Sequence, residues 1–220
     1  MLDMIEAESG DAPAATLIIL HGLGADGNDF VPIAEELQLD SIGPVRFIFP
    51  HAPVMPVSIN GGYRMRAWYD ILGFDEDSPQ DEAGLRRSQA LVEAILAREK
   101  ERGVPAHRIV LAGFSQGCAI ALFAGLRHRE RLAGIAGLSG YLPLASAAAE
   151  HADVNRDVPI FLAHGTHDEV LSLDRGEASR DALQSLGYPV EWHEYVMGHA
   201  VSPLELEEFN AWLLRVLSAP

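Results

Sequence analysis

Cysteine, basic residues and long apolar runs are all scarce in this chain. Its 220 residues include a single cysteine, Cys118, which excludes an internal disulfide framework and any metal site built from several cysteines. The first apolar run, residues 16–20, is too short to cross a bilayer, and the residues before it are acidic where a secretory signal is positively charged. We therefore expect a cytoplasmic protein without stable membrane association.

Positive charge is the second shortage, because 16 lysines and arginines stand against 32 aspartates and glutamates. The formal net charge of −16 repels nucleic-acid phosphates and anionic lipid headgroups, so we expect neither as a partner. No Gly/Ser-rich, Pro-rich or single-charge segment divides the chain, and 48% of its residues are hydrophobic. These features predict one domain over residues 1–220, with a homodimer left open.

What the chain does contain is an alternation of short apolar blocks and amphipathic segments. We predict strands at residues 16–20, 45–49, 108–113, 132–140, 158–165 and 189–196. The predicted helices begin after a cap at Asn28 or Asp29, at Ser78-Pro79 (ending at Gly103), at Gln116, near Ser172, and at Pro203 with Ser202 as N-cap. Residues 50–77 are rich in Pro, Gly and aromatics and are predicted to form a loop.

The order of these segments predicts the fold class. Strands that are apolar on both faces and alternate with helices indicate an α/β fold, with a mostly parallel central sheet and helices on both of its faces. No insertion is long enough to form a separate lid domain. In such sheets ligands bind at the carboxyl ends of the strands. Each segment with candidate catalytic residues described below follows such an end.

The segment GFSQG at residues 113–117 lies where a predicted strand becomes a helix. G-x-S-x-G in that context predicts a nucleophile elbow, in which Ser115 occupies a strained turn with its hydroxyl exposed at the sheet edge. Gly113 and Gly117 fit because strand and helix must approach closely there. The N–H of Gln116 then points to a developing oxyanion. The alternative is a Ser-Gln helix cap flanked by chance glycines.

A serine hydroxyl needs a general base, and the base needs an acid that orients it. In this architecture the chain order is Ser, then Asp or Glu, then His. Asp168 and Glu169 follow the predicted strand at 158–165, and we choose Asp168 because the first acidic residue reaches back with a short, stiff side chain. His199 alone combines the required order with a loop preceded by glycine, so it is the predicted base.

Five of the remaining histidines have simpler interpretations. His128 and His151 are predicted to be solvated and His193 to be a cross-strand neighbour, while His164 and His167 are predicted to shape the strand end beside the acid. None of them is therefore chosen as a base.

A second oxyanion donor is expected in the glycine-rich loop HGLGADG at residues 21–27. Its glycines allow the backbone to come close to a substrate, and the N–H of Leu23 is the candidate donor. The alternative is an ordinary loop.

Six segments together resemble one known family. LHGLGADGNDF, RAWYDILGFDEDSPQDEAG, GFSQG, LSGYLP, HGTHDEVLS and GHAVSP are similar to the acyl-protein thioesterase and carboxylesterase family of small α/β-hydrolases, from about residue 16 to the last helix. The resemblance implies an α/β-hydrolase fold and a triad of Ser115, Asp168 and His199. It also implies an oxyanion hole formed by the Leu23 and Gln116 amides.

The same resemblance implies an acyl-chain channel beside the segment WYDILGF, lined by Phe74, Tyr141 and Val170. Tyr141 stands where animal relatives often carry tryptophan, and Phe74 where some carry leucine. Cys118, often glycine in relatives, lies a turn beyond the elbow and is not the nucleophile. The related dienelactone hydrolases carry cysteine at the position of Ser115, so the serine argues against their chemistry.

The expected function is hydrolysis of short- to medium-chain carboxylic esters, with acyl thioesters as a further class, through an acyl-serine intermediate. The expected partner is a small-molecule ester or thioester, and no metal or organic cofactor is needed. Two alternatives remain: a different hydrolase on the same fold, such as a lysophospholipase or a peptidase, and a non-catalytic binding protein on a hydrolase scaffold.

Overall fold

A seven-stranded sheet forms the centre of the molecule. The computed structural model describes residues 2–73, 78–148 and 155–218. Their strands are β1 (Met4–Glu8), β2 (Ala15–Leu20), β3 (Val45–Pro50), β4 (Val54–Val57), β5 (Tyr63–Arg66), β6 (Ile109–Phe114), β7 (Gly134–Leu138), β8 (Ile160–Gly165) and β9 (Val190–Tyr195). The sheet order is β1-β3-β2-β6-β7-β8-β9, with β1 antiparallel to β3 and the other neighbours parallel, whereas β4 and β5 form a separate hairpin.

Helices cover both faces of this sheet, as the sequence predicts. They are α1 (Val31–Glu36), α2 (Glu82–Glu101), α3 (Gln116–Arg127), α4 (Leu173–Ser185) and α5 (Pro203–Ser218). The buried apolar side chains of α2, α3 and α4 belong to the apolar cluster on one face, and those of α1 and α5 to the cluster on the other. No separate lid occurs among the residues that the structure describes.

Strand β2 shows why the sheet is buried on both sides. Leu17 and Ile19 pack into the cluster that contains α1 and α5, while Ile18 and Leu20 pack into the cluster that contains α2 and α3. Side chains alternate between the faces of a strand, so a central strand between two layers of helices must be apolar throughout. The continuous apolar runs in the sequence are therefore a direct consequence of the three-layer architecture.

Three strands occur where the sequence predicts none. Strand β1 is half-buried, and Glu6 within it forms ion pairs with Arg98 of α2 and with Arg102, the residue that follows α2. The acidic residues of β1 hide the apolar periodicity from which a strand is predicted. The hairpin β4–β5 lies in the segment predicted to be loop, and Pro56 in β4 weakens its strand signal. The prediction of loop over that segment is wrong for both hairpin strands.

Two helix starts also differ from the prediction. The cap predicted at Asn28 or Asp29 is instead Asp26, whose carboxylate accepts from the Asn28 N–H and begins a 3₁₀ turn that precedes α1. Helix α2 begins after Asp81 rather than at Ser78-Pro79, because the Asp81 carboxylate accepts from the Gly84 N–H. In both cases an aspartate that satisfies free N–H groups determines the first turn.

The start of α5 agrees with the prediction and contains a buried carboxyl group. Ser202 Oγ accepts from the Glu205 N–H at 3.1 Å, and Glu205 Oε2 accepts from the Ser202 N–H at 3.2 Å, with Pro203 as the first helical residue. Glu205 is fully buried, and this burial raises its pKa from 4.5 to about 7. The folded protein thus keeps a proton on Glu205 under conditions where the unfolded chain has lost it.

This raised pKa predicts a specific pH dependence of stability. The stabilisation from the retained proton is complete below about pH 4.5 and is lost as the pH rises through about 7. We expect the free energy of unfolding of the wild type, relative to Glu205→Gln, to fall by about 2–3 kcal/mol between pH 5 and pH 8. Urea unfolding of both proteins at the two pH values measures this, and an unchanged difference would contradict it.

Candidate active site

Ser115 is the single residue between strand β6 and helix α3. Its backbone dihedral angles, φ 55° and ψ −117°, lie in a region that residues other than glycine rarely occupy. The Ser115 N–H donates to the carbonyl oxygen of Leu138 at 2.9 Å, which ties the turn to the end of β7. The sharp strand-to-helix turn that the sequence predicts is therefore present, and Ser115 lines the cavity above it.

The two glycines around Ser115 are required by backbone contacts. A Cβ atom on Gly113 would lie 2.2 Å from the Gly117 carbonyl oxygen, and one on Gly117 would lie 2.1 Å from the Leu20 carbonyl oxygen. Neither contact could be relieved by moving a side chain, because the atoms approached belong to the backbone. The expectation of close approach at both glycines is confirmed.

The structure brings the hydroxyl, imidazole and carboxylate of the predicted triad into one hydrogen-bonded line. His199 Nε2 lies 2.9 Å from Ser115 Oγ, and His199 Nδ1 lies 2.7 Å from Asp168 Oδ2. An ionised carboxylate can only accept, so Nδ1 carries the ring proton and Nε2 is free to accept from the serine hydroxyl. The ring of Phe114, 4.8 Å away between centroids, packs against the imidazole.

Asp168 is held on both of its carboxylate oxygens. Its Oδ1 accepts from the N–H groups of Val170 and Leu171, each at 2.9 Å, and its side chain is fully shielded from solvent. His164, beneath the loop, donates from Nε2 to the Leu171 carbonyl oxygen at 2.8 Å. Glu169, the other acidic residue considered from the sequence, is exposed.

The histidines away from this line are mostly structural. His164 is buried at the end of β8, as expected, and His193 stacks on Phe161. The prediction that His128 is solvated is wrong, because the residue is buried and its Nδ1 lies 2.9 Å from Glu93 Oε2. His151 lies outside the described residues.

His21 orients the loop that carries the candidate oxyanion donor. Its Nε2 accepts from the Ala52 N–H at 3.0 Å, so Nδ1 bears the proton and donates to the Gly22 carbonyl oxygen at 2.7 Å. Burial lowers the pKa of His21, which keeps the ring neutral. The Gly22 carbonyl and the Leu23 N–H belong to one planar peptide unit and point in opposite directions, so this hydrogen bond determines where the Leu23 N–H points.

The same loop lies directly against the serine. A Cβ atom on Gly22 would be 3.3 Å from the Ser115 Cβ, and Leu23 lines the cavity next to Ser115. Gln116 contributes the other candidate N–H at the start of α3. Leu23, Ser115 and Gln116 thus line one cavity, and the role of the two amides as an oxyanion hole remains a prediction.

The side chain of Gln116 binds the backbone of the segment after β5, a role that the sequence did not indicate. Its Oε1 accepts from the Trp68 N–H and its Nε2 donates to the Tyr69 carbonyl oxygen, both at 2.8 Å. Trp68 is buried, as expected for a packing residue, and its indole N–H donates to the His21 carbonyl oxygen at 2.8 Å. These hydrogen bonds hold the segment after β5 against the turn at Ser115 and the loop after β2.

A cavity of about 660 Å³ opens from Ser115 and His199. Tyr141 and Val170, two of the three residues expected in the acyl channel, line it, whereas the third, Phe74, lies outside the described residues. The remaining lining residues, which are mostly apolar, include Phe30, Ile33, Tyr69, Ile71, Phe114 and Leu206. Their role in substrate binding stays a prediction.

Two further residues of the site were not found from the sequence. His21 was visible only as part of a glycine-rich loop, and Arg175, which also lines the cavity, lies within an ordinary helical pattern. The histidine before the first glycine of that loop was a usable signal. The sequence around Arg175 contains no comparable signal, because only the fold brings this residue to the cavity.

Cys118 is buried in α3, and burial raises the pKa of its thiol to about 12. A thiol in this state is not nucleophilic at neutral pH. The sequence argument that Cys118 is not the nucleophile is consistent with this environment.

The fold and site together define a class of protein. A mostly parallel sheet, a serine at a strand-to-helix elbow, and a histidine and an aspartate from later strand ends are the features of an α/β-hydrolase. Comparison with known proteins narrows this class. Residues 3–216 match the family model described as phospholipase/carboxylesterase, and the chain belongs to that family.

Individual relatives agree with this assignment. The chain is 42% identical over 208 residues to acyl-protein thioesterase 1 of Yarrowia lipolytica, covering 92% of each chain. The crystal structure of Zea mays acyl-protein thioesterase 2 has a TM-score of 0.87 and 30% identity, covering 99% of this chain and 100% of that one. Arabidopsis thaliana SOBER1 has a TM-score of 0.88 and 31% identity, covering 93% of this chain and 99% of that one. The α/β-hydrolase fold is therefore confirmed.

Among the described residues, no helix combines the length and the apolar composition needed to cross a bilayer.

The two hydrogen bonds of His21 allow its orienting role to be tested with a matched pair of variants. In His21→Asn the amide N–H replaces Nδ1–H toward Gly22, whereas in His21→Gln a carbonyl oxygen replaces Nε2 toward Ala52. We expect His21→Gln to lower kcat about 10- to 100-fold, less than the roughly 10²–10³-fold cost of losing a whole oxyanion donor, and His21→Asn to lower it far less.

The readout is steady-state ester hydrolysis, with thermal unfolding of both variants as the control for folding. Each variant loses one buried hydrogen bond, so their stabilities should be similar. Equal kcat losses in the two variants would contradict a specific role for the bond to Gly22.

Proposed function

We propose that this protein is a serine carboxylesterase that hydrolyses short- to medium-chain carboxylic esters and also acyl thioesters. One observation carries the proposal: a serine hydroxyl, an imidazole and a carboxylate in hydrogen-bond contact at strand ends, beside a largely apolar cavity, in a member of the phospholipase/carboxylesterase family. The relatives named as acyl-protein thioesterases support thioesters as a second substrate class.

The acylation step follows from the direction of the hydrogen bonds. Ser115 Oγ attacks the carbonyl carbon while His199 Nε2 accepts its proton, and the Asp168 carboxylate stabilises the resulting imidazolium. The negative charge that develops on the carbonyl oxygen is stabilised by the N–H groups of Leu23 and Gln116, which are already oriented by the fold. Collapse of the tetrahedral intermediate breaks the bond to the alcohol or thiol, and His199 returns the proton to that leaving group.

Deacylation uses the same groups with water in place of the leaving group. His199 Nε2 takes a proton from water, and the hydroxide adds to the acyl-serine carbonyl carbon. The second tetrahedral intermediate then collapses, the bond between the acyl carbon and Ser115 Oγ breaks, and Ser115 Oγ regains its proton from the imidazolium. The carboxylic acid leaves and loses its proton to the solvent. His199 mediates every other proton transfer in the cycle.

The setting of the activity forms part of the same proposal. The chain acts in the cytoplasm as one domain, on small ester or thioester substrates, and without a nucleic-acid partner. The formal net charge of −16 and the single buried cysteine support this.

The nucleophile can be identified by covalent labelling. A fluorophosphonate probe should modify the wild type at Ser115 and leave Ser115→Ala unlabelled, and hydrolysis of p-nitrophenyl butyrate by that variant should fall to the background rate. Peptide mapping of the labelled protein identifies the residue, and thermal unfolding shows whether the variant is folded. Wild-type-like hydrolysis by folded Ser115→Ala would refute the mechanism.

Acyl-chain preference can be tested at the mouth of the cavity. Each methylene that leaves water for the apolar lining contributes about 0.8 kcal/mol, so kcat/KM should rise with acyl length and then level off. Val170 lines the cavity and is 58% exposed, whereas Val54 in β4 is 50% exposed and is not among its lining residues. We expect Val170→Ser to lower kcat/KM a few-fold for octanoate but not for acetate, and Val54→Ser to change neither.

The measurement is kcat/KM for p-nitrophenyl esters from acetate to decanoate in the three proteins. A flat profile in the wild type would contradict the proposed acyl channel, and equal effects of the two serine variants would contradict the role of Val170.

A further inference from the structure

Arg175 places a positive charge in the cavity that contains Ser115. It is the third residue of α4, and its guanidinium carbon lies 4.2 Å from the centroid of the Tyr141 ring. Within the part of the chain that the structure describes, no carboxylate lies within ion-pair distance of this guanidinium. Stacking on an aromatic ring uses the face of the guanidinium and leaves its N–H donors available for a ligand.

Two other arginines of this chain, which has 32 acidic and 16 basic residues, have carboxylate partners. Arg46 is held by Glu8 and Glu99, and Arg180, on the same helix as Arg175, is held by Asp181. Their positive charges are neutralised within the protein. Arg175 instead lines the cavity without such a partner among the described residues.

The helix that carries Arg175 adds to the positive potential there, and the nearby phenols do not reduce it. The residue lies in the first turn of a 13-residue helix, where the aligned peptide dipoles already favour an anion and disfavour a cation. The nearby phenols of Tyr69 and Tyr141 are hydrogen-bonded to each other at 2.7 Å, and burial raises the pKa of each, so neither supplies a negative charge at neutral pH. An oxyanion bound at Arg175 would satisfy both the guanidinium and the helix terminus.

The opposite part of the cavity has the opposite charge. Asp29 and Glu36 line it from the 3₁₀ turn and α1, which pack on one face of the sheet, while Arg175 belongs to α4 on the other face. A substrate with one anionic end would be repelled from the first part and attracted to the second. The charges that line the cavity therefore favour one orientation of a substrate with an anionic end.

We infer that Arg175 is a specificity-determining residue that binds an oxyanion at the far end of the substrate's acyl group, so that half-esters of dicarboxylic acids are preferred substrates. The acyl side is chosen because Tyr141, on which the guanidinium stacks, and Val170, in the loop just before α4, are the expected lining residues of the acyl channel. A guanidinium matches a carboxylate with two parallel hydrogen bonds. The inference rests on the proposed esterase function and specifies its substrate class.

The test compares two series of p-nitrophenyl esters that differ only in the terminal charge. The monoesters of adipic and suberic acid are measured against the hexanoate and octanoate esters, and the ratio of kcat/KM between charged and neutral esters is the readout. We expect Arg175→Met to lower this ratio about 10- to 100-fold relative to wild type, the effect of losing a charge-assisted hydrogen bond. Arg175→Lys should retain part of the ratio, because it keeps the charge.

Arg180→Met is the matched control, since it removes the same charge from the same helix at a residue that is not among those lining the cavity. Its charged-to-neutral ratio should equal that of the wild type. Added NaCl should lower the ratio in the wild type relative to the ratio in Arg175→Met, because only the wild type has an attraction to Arg175 that salt can screen.

The outcomes separate this inference from the proposed function. An unchanged ratio in Arg175→Met, with normal hydrolysis of the neutral esters, would overturn the role of Arg175 and leave the esterase function intact. Failure of the wild type to hydrolyse esters of either series would overturn the function itself. A third pair of esters, 4-carboxyphenyl octanoate and phenyl octanoate, differs by a carboxylate on the leaving group. If Arg175→Met changed the charged-to-neutral ratio only for this pair, Arg175 would bind an anion on the leaving group, and the acyl-side assignment would be overturned.

Discussion

The contact between the start of α3 and the end of β2 is the constraint on which the site depends. The backbone of Gly117 passes so close to the Leu20 carbonyl oxygen that a single methyl group would separate them. Because α3 is seated there, Ser115 must adopt its unusual dihedral angles, and its hydroxyl is presented next to the loop that leaves β2. This backbone approach therefore positions the candidate nucleophile beside the loop that carries Leu23.

Buried polar side chains, rather than apolar packing, then hold the irregular segments around the elbow. His21 binds the loop after β2 and the segment after β3 at the same time, and Gln116 binds two consecutive residues after β5. A buried polar group that loses a hydrogen-bond partner costs free energy. These side chains therefore favour the one arrangement of the loops in which all of their hydrogen bonds form. Asp168, with three short hydrogen bonds to its carboxylate, does the same for the loop after β8.

Most of the parallel sheet and the positions of Ser115, Asp168 and His199 could be predicted because they depend on local signals and on chain order. Apolar runs mark buried strands, and the small residues at 113 and 117 mark the elbow. Strand β1 could not be predicted in this way, since Glu6 within it is stabilised by two arginines more than 90 positions away in the sequence. The burial of His128 and the position of Arg175 were likewise invisible, because both depend on which helices pack together.

The location of His199 has a consequence for how activity responds to mild denaturation. It follows β9, which ends the sheet, pairs with β8 alone and is only partly buried, whereas Ser115 follows the fully surrounded β6. Peripheral strands open at lower free energy than central ones. Local unfolding of β9 would separate the imidazole of His199 from the hydroxyl of Ser115 while the central strands remained native. Turnover should therefore be lost at a lower denaturant concentration than the spectroscopic signal of global unfolding.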